Sequence, residues 1–230
     1  VSEKRTKYTN IAIKNSNKMI SSLNSFLTLV SSEKISLAQN EKTSFNLNDF
    51  ILDRITYYIP DFEIKKMKFY YKANFKDKVT ISFNIESLKA IINNLISNAI
   101  KYSNSNTSVF FTFNISESNL IILVKDEGYG IDEEDKEKIF NRFYQTSNNK
   151  TIGGFGIGLS LISELVKRLG GTIDLDSELN KGSLFKVSLP YKLSNFNPNI
   201  SLVKNEFKLL TDYMPQDEAF NSSENYPKVL

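Results

Sequence analysis

Histidine is absent from the 230 residues of this sequence, and its absence excludes a large share of enzyme chemistry. Histidine supplies the base of serine-type catalytic triads, a common metal ligand and the usual acid–base group near neutral pH. A Ser-His triad, a histidine-ligated metal site and a histidine acid–base group are therefore excluded. Chemistry here must use carboxylates, amides, lysines, backbone groups or a bound metal ion.

Cysteine and tryptophan are absent as well. Without cysteine the chain forms no disulfide and no thiolate metal site, a composition that fits a reducing cytosol. The sequence has no apolar run long enough to cross a bilayer, and no signal-peptide pattern opens it. Its net charge of +3 is small and does not indicate a nucleic-acid-binding surface. We expect a soluble region that contacts neither nucleic acid nor membrane.

The order of apolar runs predicts an α+β fold, a two-layer sandwich in which helices cover one side of a mixed β-sheet. Runs of β-branched and aromatic residues predict six strands, at residues 68–75, 78–83, 109–114, 120–125, 172–176 and 183–189. Helical spacing of apolar residues predicts helices at residues 47–59, 84–102, 133–140 and 155–169. Pro60 is expected to end the first of these helices, and Asn84 to cap the second.

A long helix is also predicted at residues 8–37, before the globular pattern begins. Its apolar side chains recur at alternating steps of four and three, at Met19, Leu23, Phe26 and Val30. We interpret it as one arm of a helical hairpin or dimeric bundle; the alternative is a surface helix lying on a core. The predicted division is a helical segment at 1–40, a globular domain at 41–190 and a polar linker or partly disordered tail at 191–230.

A polar stripe on the predicted helix 84–102 is the first candidate for chemistry. Asn94, Asn98 and Lys101 share one helical face, opposite the apolar residues. Amide oxygens can complete the shell of Mg²⁺, and an ammonium group can neutralise phosphate. A solvated polar face explains the stripe equally well when it is taken alone.

Two glycine-containing segments are further candidates. Asp126 follows a predicted strand and precedes Gly128 and Gly130. Its carboxylate could accept a hydrogen bond from an amino group, and the glycines would let a flat ligand come close to the backbone. The alternative is an ordinary acidic turn. Residues 153–158 hold four of the nine glycines and open a predicted helix. Backbone N–H groups in such a turn form an anion site, whereas the alternative is a flexible loop with a glycine cap.

Five segments, in their order along the chain, resemble motifs of bacterial sensor histidine kinases. They are residues 94–102, which look like the N box, 126–131, like the first glycine box, 140–143, like the F box, 154–159, like the second glycine box, and 182–185, like the last glycine motif. The resemblance extends over residues 8–190. It implies the GHKL-type (Bergerat) ATP-binding fold, preceded by the second helix of a dimerisation and phosphotransfer hairpin.

The resemblance also implies a role for each residue of the motifs. Asn98 is expected to coordinate Mg²⁺ with help from Asn94, and Lys101 to contact phosphate, so that Asn98 and Lys101 serve catalysis. Tyr102 is expected to pack beside the adenine of ATP, and Asp126 to accept its amino group.

Gly128 and Gly130 are expected to shape the base pocket, and residues 141–154 to form a mobile lid. Arg142 and Lys150 would contact phosphates from that lid. The remaining residues implied to bind nucleotide are Ile131, Phe143, Gly154, Gly156, Ile157, Gly158, Leu159 and Ser183.

The implied reaction is transfer of the γ-phosphoryl group of Mg-ATP to a histidine, which must lie outside this sequence. The longer protein is expected to be a homodimer anchored in the inner membrane, with this region in the cytoplasm and a response-regulator receiver domain as its partner, in cis or in trans. Residues 226–230 resemble the first strand of a receiver domain. The alternatives are another ATPase of the same fold, an anti-sigma type of serine kinase, and a pseudokinase that only binds nucleotide.

Overall fold

The computed structural model describes residues 42–75, 78–116, 118–146, 155–193 and 205–211. The helix predicted at 8–37 and the strand predicted at 226–230 lie outside the described residues, as do Lys150, Gly154 and the part of the predicted lid from residue 147 to 154. Within the described ranges, none of the helices is both long and apolar enough to span a membrane.

Strands and helices alternate along the described chain. The nine strands that can be delimited there are β1 Thr43–Asn46, β2 Lys68–Ala73, β3 Thr80–Phe83, β4 Ser108–Ile115, β5 Asn119–Asp126, β6 Thr172–Glu178, β7 Gly182–Pro190, β8 Lys192–Leu193 and β9 Lys208–Leu209. The helices are α1 Leu47–Thr56, α2 Ile59–Ile64, α3 Ile85–Tyr102 and α4 Gly158–Arg168, with single 3-10 turns at Glu133–Asp135 and Lys138–Phe140.

The strands form two sheets. The main sheet has the order β6-β7-β5-β4-β2-β9, in which β2 and β4 run parallel and the other neighbours are antiparallel. A small antiparallel sheet has the order β1-β3-β8. The mixed sheet with its covering helices confirms the predicted α+β class.

The core lies between the main sheet and the helices. Val109, Phe111 and Phe113 on alternate positions of β4 are fully buried, as is the apolar face of α3, which includes Ile92. The ring of Phe62 in α2 stacks on the ring of Phe69 in β2, with centroids 4.1 Å apart. Burial of each such side chain contributes ~1.5–3 kcal/mol, so this layer dominates the stability of the domain.

Helix α3 carries the predicted polar stripe, and its start is as predicted. Oδ1 of Asn84 accepts a hydrogen bond from the backbone N–H of Ser87 at 2.7 Å, which caps the helix. Glu86 in the first turn and Lys101 in the last turn both have the charge that the helix dipole favours. The helix ends at Tyr102, because Ser103 is extended.

The structure differs from the sequence-based expectation around Pro60. The helix predicted at 47–59 ends earlier, at Thr56, and Pro60 lies in the first turn of the separate helix α2. Proline is favoured there because the first N–H groups of a helix have no partner within it. The single helix predicted at 133–140 is likewise two 3-10 turns.

Three short strands were not predicted. β1 lies just before the first helix predicted in the globular domain, and β8 and β9 lie beyond residue 190, in the predicted tail. Each has four residues or fewer, too few for a periodic pattern to show. They are strands because each pairs with the edge of another strand, β1 and β8 with β3 and β9 with β2.

Candidate functional site

Asp126 ends β5 with its carboxylate almost entirely buried, at 5% exposure. Oδ1 accepts hydrogen bonds from the backbone N–H groups of Gly128, at 2.9 Å, and Ser183, at 3.2 Å. Burial raises the pKa of Asp126 to about 6, although those two bonds lower it and the charge of Glu127 adds to the rise. A carboxylate this deep favours a hydrogen-bond donor as its ligand.

The loop after Asp126 lies against the carboxyl end of α3. The backbone N–H of Tyr129 donates to the carbonyl of Tyr102 at 3.1 Å. A β-carbon at Gly128 would collide with that carbonyl and would lie 2.7 Å from Oδ1 of Asp126. Glycine is therefore required for the carboxylate and the helix end to approach each other.

Ser177, on β6, organises the same region and was not predicted. Its hydroxyl accepts a hydrogen bond from the N–H of Ile131 at 2.9 Å, donates to the carbonyl of Gly182 at 2.9 Å and lies 3.0 Å from Oγ of Ser183. Gly130 has a φ of 64° and lies against the backbone of Glu178, at the end of β6. Nothing in the sequence distinguishes Ser177, because its role follows from the pairing of Ser177 with Ser183 across β6 and β7.

The polar stripe of α3 is partly buried. Nδ2 of Asn94 donates to the carbonyl of Ala90 at 3.0 Å, so its Oδ1 is left for other contacts. Nδ2 of Asn98 is buried and makes no hydrogen bond with any described residue. A buried donor without a partner costs ~1–3 kcal/mol, so an acceptor atom of a ligand would stabilise this amide. Lys101 donates to the hydroxyl of Tyr102 at 2.7 Å and lies 4.5 Å from the centre of that ring.

The amino end of α4 faces this stripe. A β-carbon at Gly158 would lie 2.6 Å from Oδ1 of Asn94. Ile157 precedes the helix and is buried, and no side chain caps the first turn. Leu159 is half-buried. The first N–H groups of α4 therefore suit a phosphate next to the amides of α3.

The segment predicted as the F box is hydrogen-bonded to the residues before α4. The N–H of Phe143 donates to the carbonyl of Gly156 at 2.9 Å, and both residues have a φ of 66°. The Phe143 side chain is 67% exposed, a position away from the buried site. The hydroxyl of Tyr144 donates to Asp135 at 2.5 Å, which raises the pKa of the tyrosine.

Arg142 pairs with a residue of α4. Its guanidinium donates to Oε2 of Glu164 at 2.7 Å, and Arg168 pairs with the other oxygen of the same carboxylate. The hydrogen bond from Arg142 is the main cause that holds the pKa of Glu164 below its usual value. The structure therefore brings together Asp126, the stripe and Gly158, with Arg142 paired elsewhere.

Metal ligation in this region would depend on amides. The described part of the chain has no group of three acidic residues that could hold a metal ion by itself. Mg²⁺ fits such a place only where phosphate oxygens and water supply most of its ligands, with an amide oxygen of Asn98 or Asn94 added.

Comparisons with known proteins find related ATPases and kinases. Residues 83–193 match the family of histidine kinase-, DNA gyrase B- and HSP90-like ATPases. The sensor histidine kinase WalK of Bacillus subtilis is 40% identical over 116 residues, which is 49% of this chain and 19% of that protein. The signal transduction histidine-protein kinase ArlS of Staphylococcus haemolyticus is 30% identical over 183 residues, 77% of this chain and 39% of that protein. The chain belongs to the catalytic ATP-binding domains of the sensor histidine kinase family.

Solved structures support the same family. The nucleotide-free catalytic domain of histidine kinase ThkA has a TM-score of 0.57 and 26% identity to this kinase region, over 65% of this chain and 97% of that domain. Full-length ShkA, crystallised with AMPPNP, has a TM-score of 0.65 at 23% identity over 84% of this chain and 40% of that protein, which supports the fold. The kinase region spans 19% to 39% of the length of WalK and ArlS.

Proposed function

We propose that this kinase region holds ATP with the adenine amino group on Asp126 and transfers the γ-phosphoryl group to a histidine outside this sequence. The observation that carries the proposal is the hydrogen bonding of Asp126. Among the described residues, both bonds that its carboxylate accepts end on Oδ1, so Oδ2 is left for a donor from the ligand. Gly128 keeps the approach to this carboxylate clear of side chains.

Phosphates of the nucleotide would lie between α3 and α4. The uncapped first turn of α4 offers N–H donors, and the unpartnered Nδ2 of Asn98 offers another. Lys101 would turn from Tyr102 to neutralise phosphate charge. These groups orient the γ-phosphate, and positioning is the main source of catalysis in phosphoryl transfer.

Mg²⁺ fits this arrangement as a companion of the phosphates. Asn98 would supply the amide oxygen, with Asn94 beside it on the stripe. When it is bound, the ion neutralises charge on the phosphate oxygens. The protein residues would hold those oxygens in place and exclude water from Asn98, whose amide is already buried.

The proposed signalling context follows from the relatives. The longer protein would be a homodimer anchored in the inner membrane, with this region in the cytoplasm, and its phosphohistidine would pass phosphate to the receiver domain of a response regulator. Relatives named as sensor kinases support this context more than the gyrase-like or chaperone ATPases that share the fold. A pseudokinase would keep the nucleotide contacts but transfer nothing.

Phosphoryl transfer can be tested by supplying the missing histidine. The chain is incubated with γ-labelled Mg-ATP, alone and with a separate helical hairpin that carries a histidine next to an acidic residue. We expect label on the hairpin, slow because the step is bimolecular, and none on the chain alone. Label on the chain alone would contradict the proposed acceptor, and steady ATP hydrolysis without transfer would favour an ATPase.

A further inference from the structure

Residues 205–211 form an extended segment along the free edge of β2. Tyr70 and Tyr71 of β2 pair with Leu209 and Lys208 of β9 in antiparallel register. The backbone N–H of Leu210 continues the pairing by donating to a carbonyl of β2 at 2.8 Å. Two paired residues alone would make a weak strand, so other contacts must hold this segment.

Polar side chains extend the pairing at both ends of the segment. Nδ2 of Asn205 donates to the carbonyl of Ala73 at 2.5 Å. At the other end, Oγ1 of Thr211 accepts from the backbone N–H of Phe69 at 3.3 Å, and Thr211 is only 3% exposed. These bonds satisfy main-chain groups of β2 that an edge strand would otherwise leave to solvent.

An aromatic contact fixes the middle of the segment on the outer face of the sheet. The ring of Phe207 meets Phe110 edge-on, with centroids 5.4 Å apart. Phe110 in turn stacks on Tyr70 at 4.9 Å. The ammonium of Lys72 lies 5.2 Å from the centre of the Phe207 ring. The side chains of Tyr70 and Lys72 in β2 and of Phe110 in β4 thus form a slot for one aromatic residue.

We propose that the β2 edge and this slot form a binding site for an extended peptide, and that residues 205–211 are its ligand within the same chain. Strand addition at a sheet edge combines main-chain hydrogen bonds with side-chain pockets that select sequence. The residues selected here are Asn205 and Thr211, at the two ends, and Phe207, in the slot. This inference is independent of the proposed catalytic function.

The site also determines where the segment ends. The segment runs from Asn205, beside Ala73, to Thr211, beside Phe69, which is roughly 20 Å of extended backbone. Phe69 is level with Val109, which pairs with Asp126. Thr211 therefore lies at the same end of the sheet as Asp126, three strands and roughly 14 Å from β5.

The first test loosens the ligand while leaving the site intact. In the Phe207→Ala variant of the full chain, we expect the amides of Phe69 and Leu210 to exchange about tenfold faster or more, because the slot is empty. The Phe207→Tyr variant should retain the wild-type rates, as should Tyr57→Ala, which removes an exposed ring elsewhere. Unchanged exchange in Phe207→Ala would overturn the proposal.

The second test distinguishes a peptide site from ordinary packing. A synthetic peptide of residues 205–211 is added to Phe207→Ala at several millimolar, above the effective concentration of a short tether, which is on the order of 1 mM. The Phe69 amide should become protected again while the chain's own Leu210 amide continues to exchange quickly. A scrambled peptide should do neither. Absence of Phe69 protection by the native peptide would show that the edge does not bind peptides.

Discussion

Oδ1 of Asn94 lies 2.6 Å from the position that a β-carbon would take at Gly158. The polar stripe of α3 and the amino end of α4 are therefore in contact, although more than sixty residues of sequence separate them. Asn94 holds its own orientation through the carbonyl of Ala90. The approach is possible only because residue 158 has no side chain.

The Gly158→Ala variant should fold but bind ATP more weakly. The added methyl group meets the end of the Asn94 side chain, which can rotate away, so the melting temperature should change little. Rotation displaces the amide from the proposed phosphate site, and we expect ATP affinity to fall about tenfold, the loss of one good hydrogen bond. Calorimetry with ATP measures it, with Ser163→Ala on the same helix as the control; an unchanged affinity would contradict the proposed phosphate position.

The Asn98→Ala variant should lose the effect of Mg²⁺ on nucleotide binding. Wild-type protein is expected to bind ATP more tightly with Mg²⁺ than with excess EDTA, whereas the two titrations should converge for the variant. Asn93→Ala, which removes a neighbouring amide of α3, should behave as wild type. Equal losses with and without metal would assign Asn98 to packing.

Arg142 and Arg168 share Glu164, which makes them a matched pair for testing a phosphate contact. If Arg142 leaves Glu164 for the γ-phosphate, Arg142→Ala should weaken ATP binding more than ADP binding, and Arg168→Ala should affect neither. The Arg142 side chain is 59% exposed, so its ion pair is worth little in solution and need not prevent the exchange. Identical titrations for the two variants would mean that Arg142 only holds Glu164.

Stability should depend on pH through Asp126. The pKa of its carboxyl is about 6 in the folded state against 3.8 as the ordinary value, so the folded state keeps the proton to higher pH than the unfolded state. Its stabilising contribution is complete below about pH 4 and is lost as pH rises through 6, by up to about 3 kcal/mol. Urea unfolding of wild type and Asp126→Asn measures this as the difference between their free energies of unfolding. A difference that stays constant from pH 4 to 7 would contradict the raised pKa.

Much of the site could be predicted from the sequence because its residues lie on long elements or at their ends. The spacing on α3 placed Asn94 and Asn98 on one face, and Asp126 ends a strand as predicted. The glycine at 158 begins α4, close to its predicted start.

The rest depended on contacts between distant parts of the chain. Ser177 acts through the register of two strands, and the partner of Arg142 is on a helix that local patterns cannot associate with it. The raised pKa of Asp126 follows from its burial in the folded domain. β9 has two residues, and its aromatic slot exists only in the folded sheet.

Calorimetric titration of ATP into wild-type protein and Asp126→Asn tests the central claim most directly. The variant keeps the shape of the side chain but replaces one carboxylate oxygen with a donor and removes the charge-assisted bond to the adenine amino group. With Asp132→Asn as an exposed control, we predict that wild type and control bind ATP, and that Asp126→Asn keeps its fold and shows no measurable binding. ATP affinity in Asp126→Asn equal to that of wild type would contradict the assignment of this site.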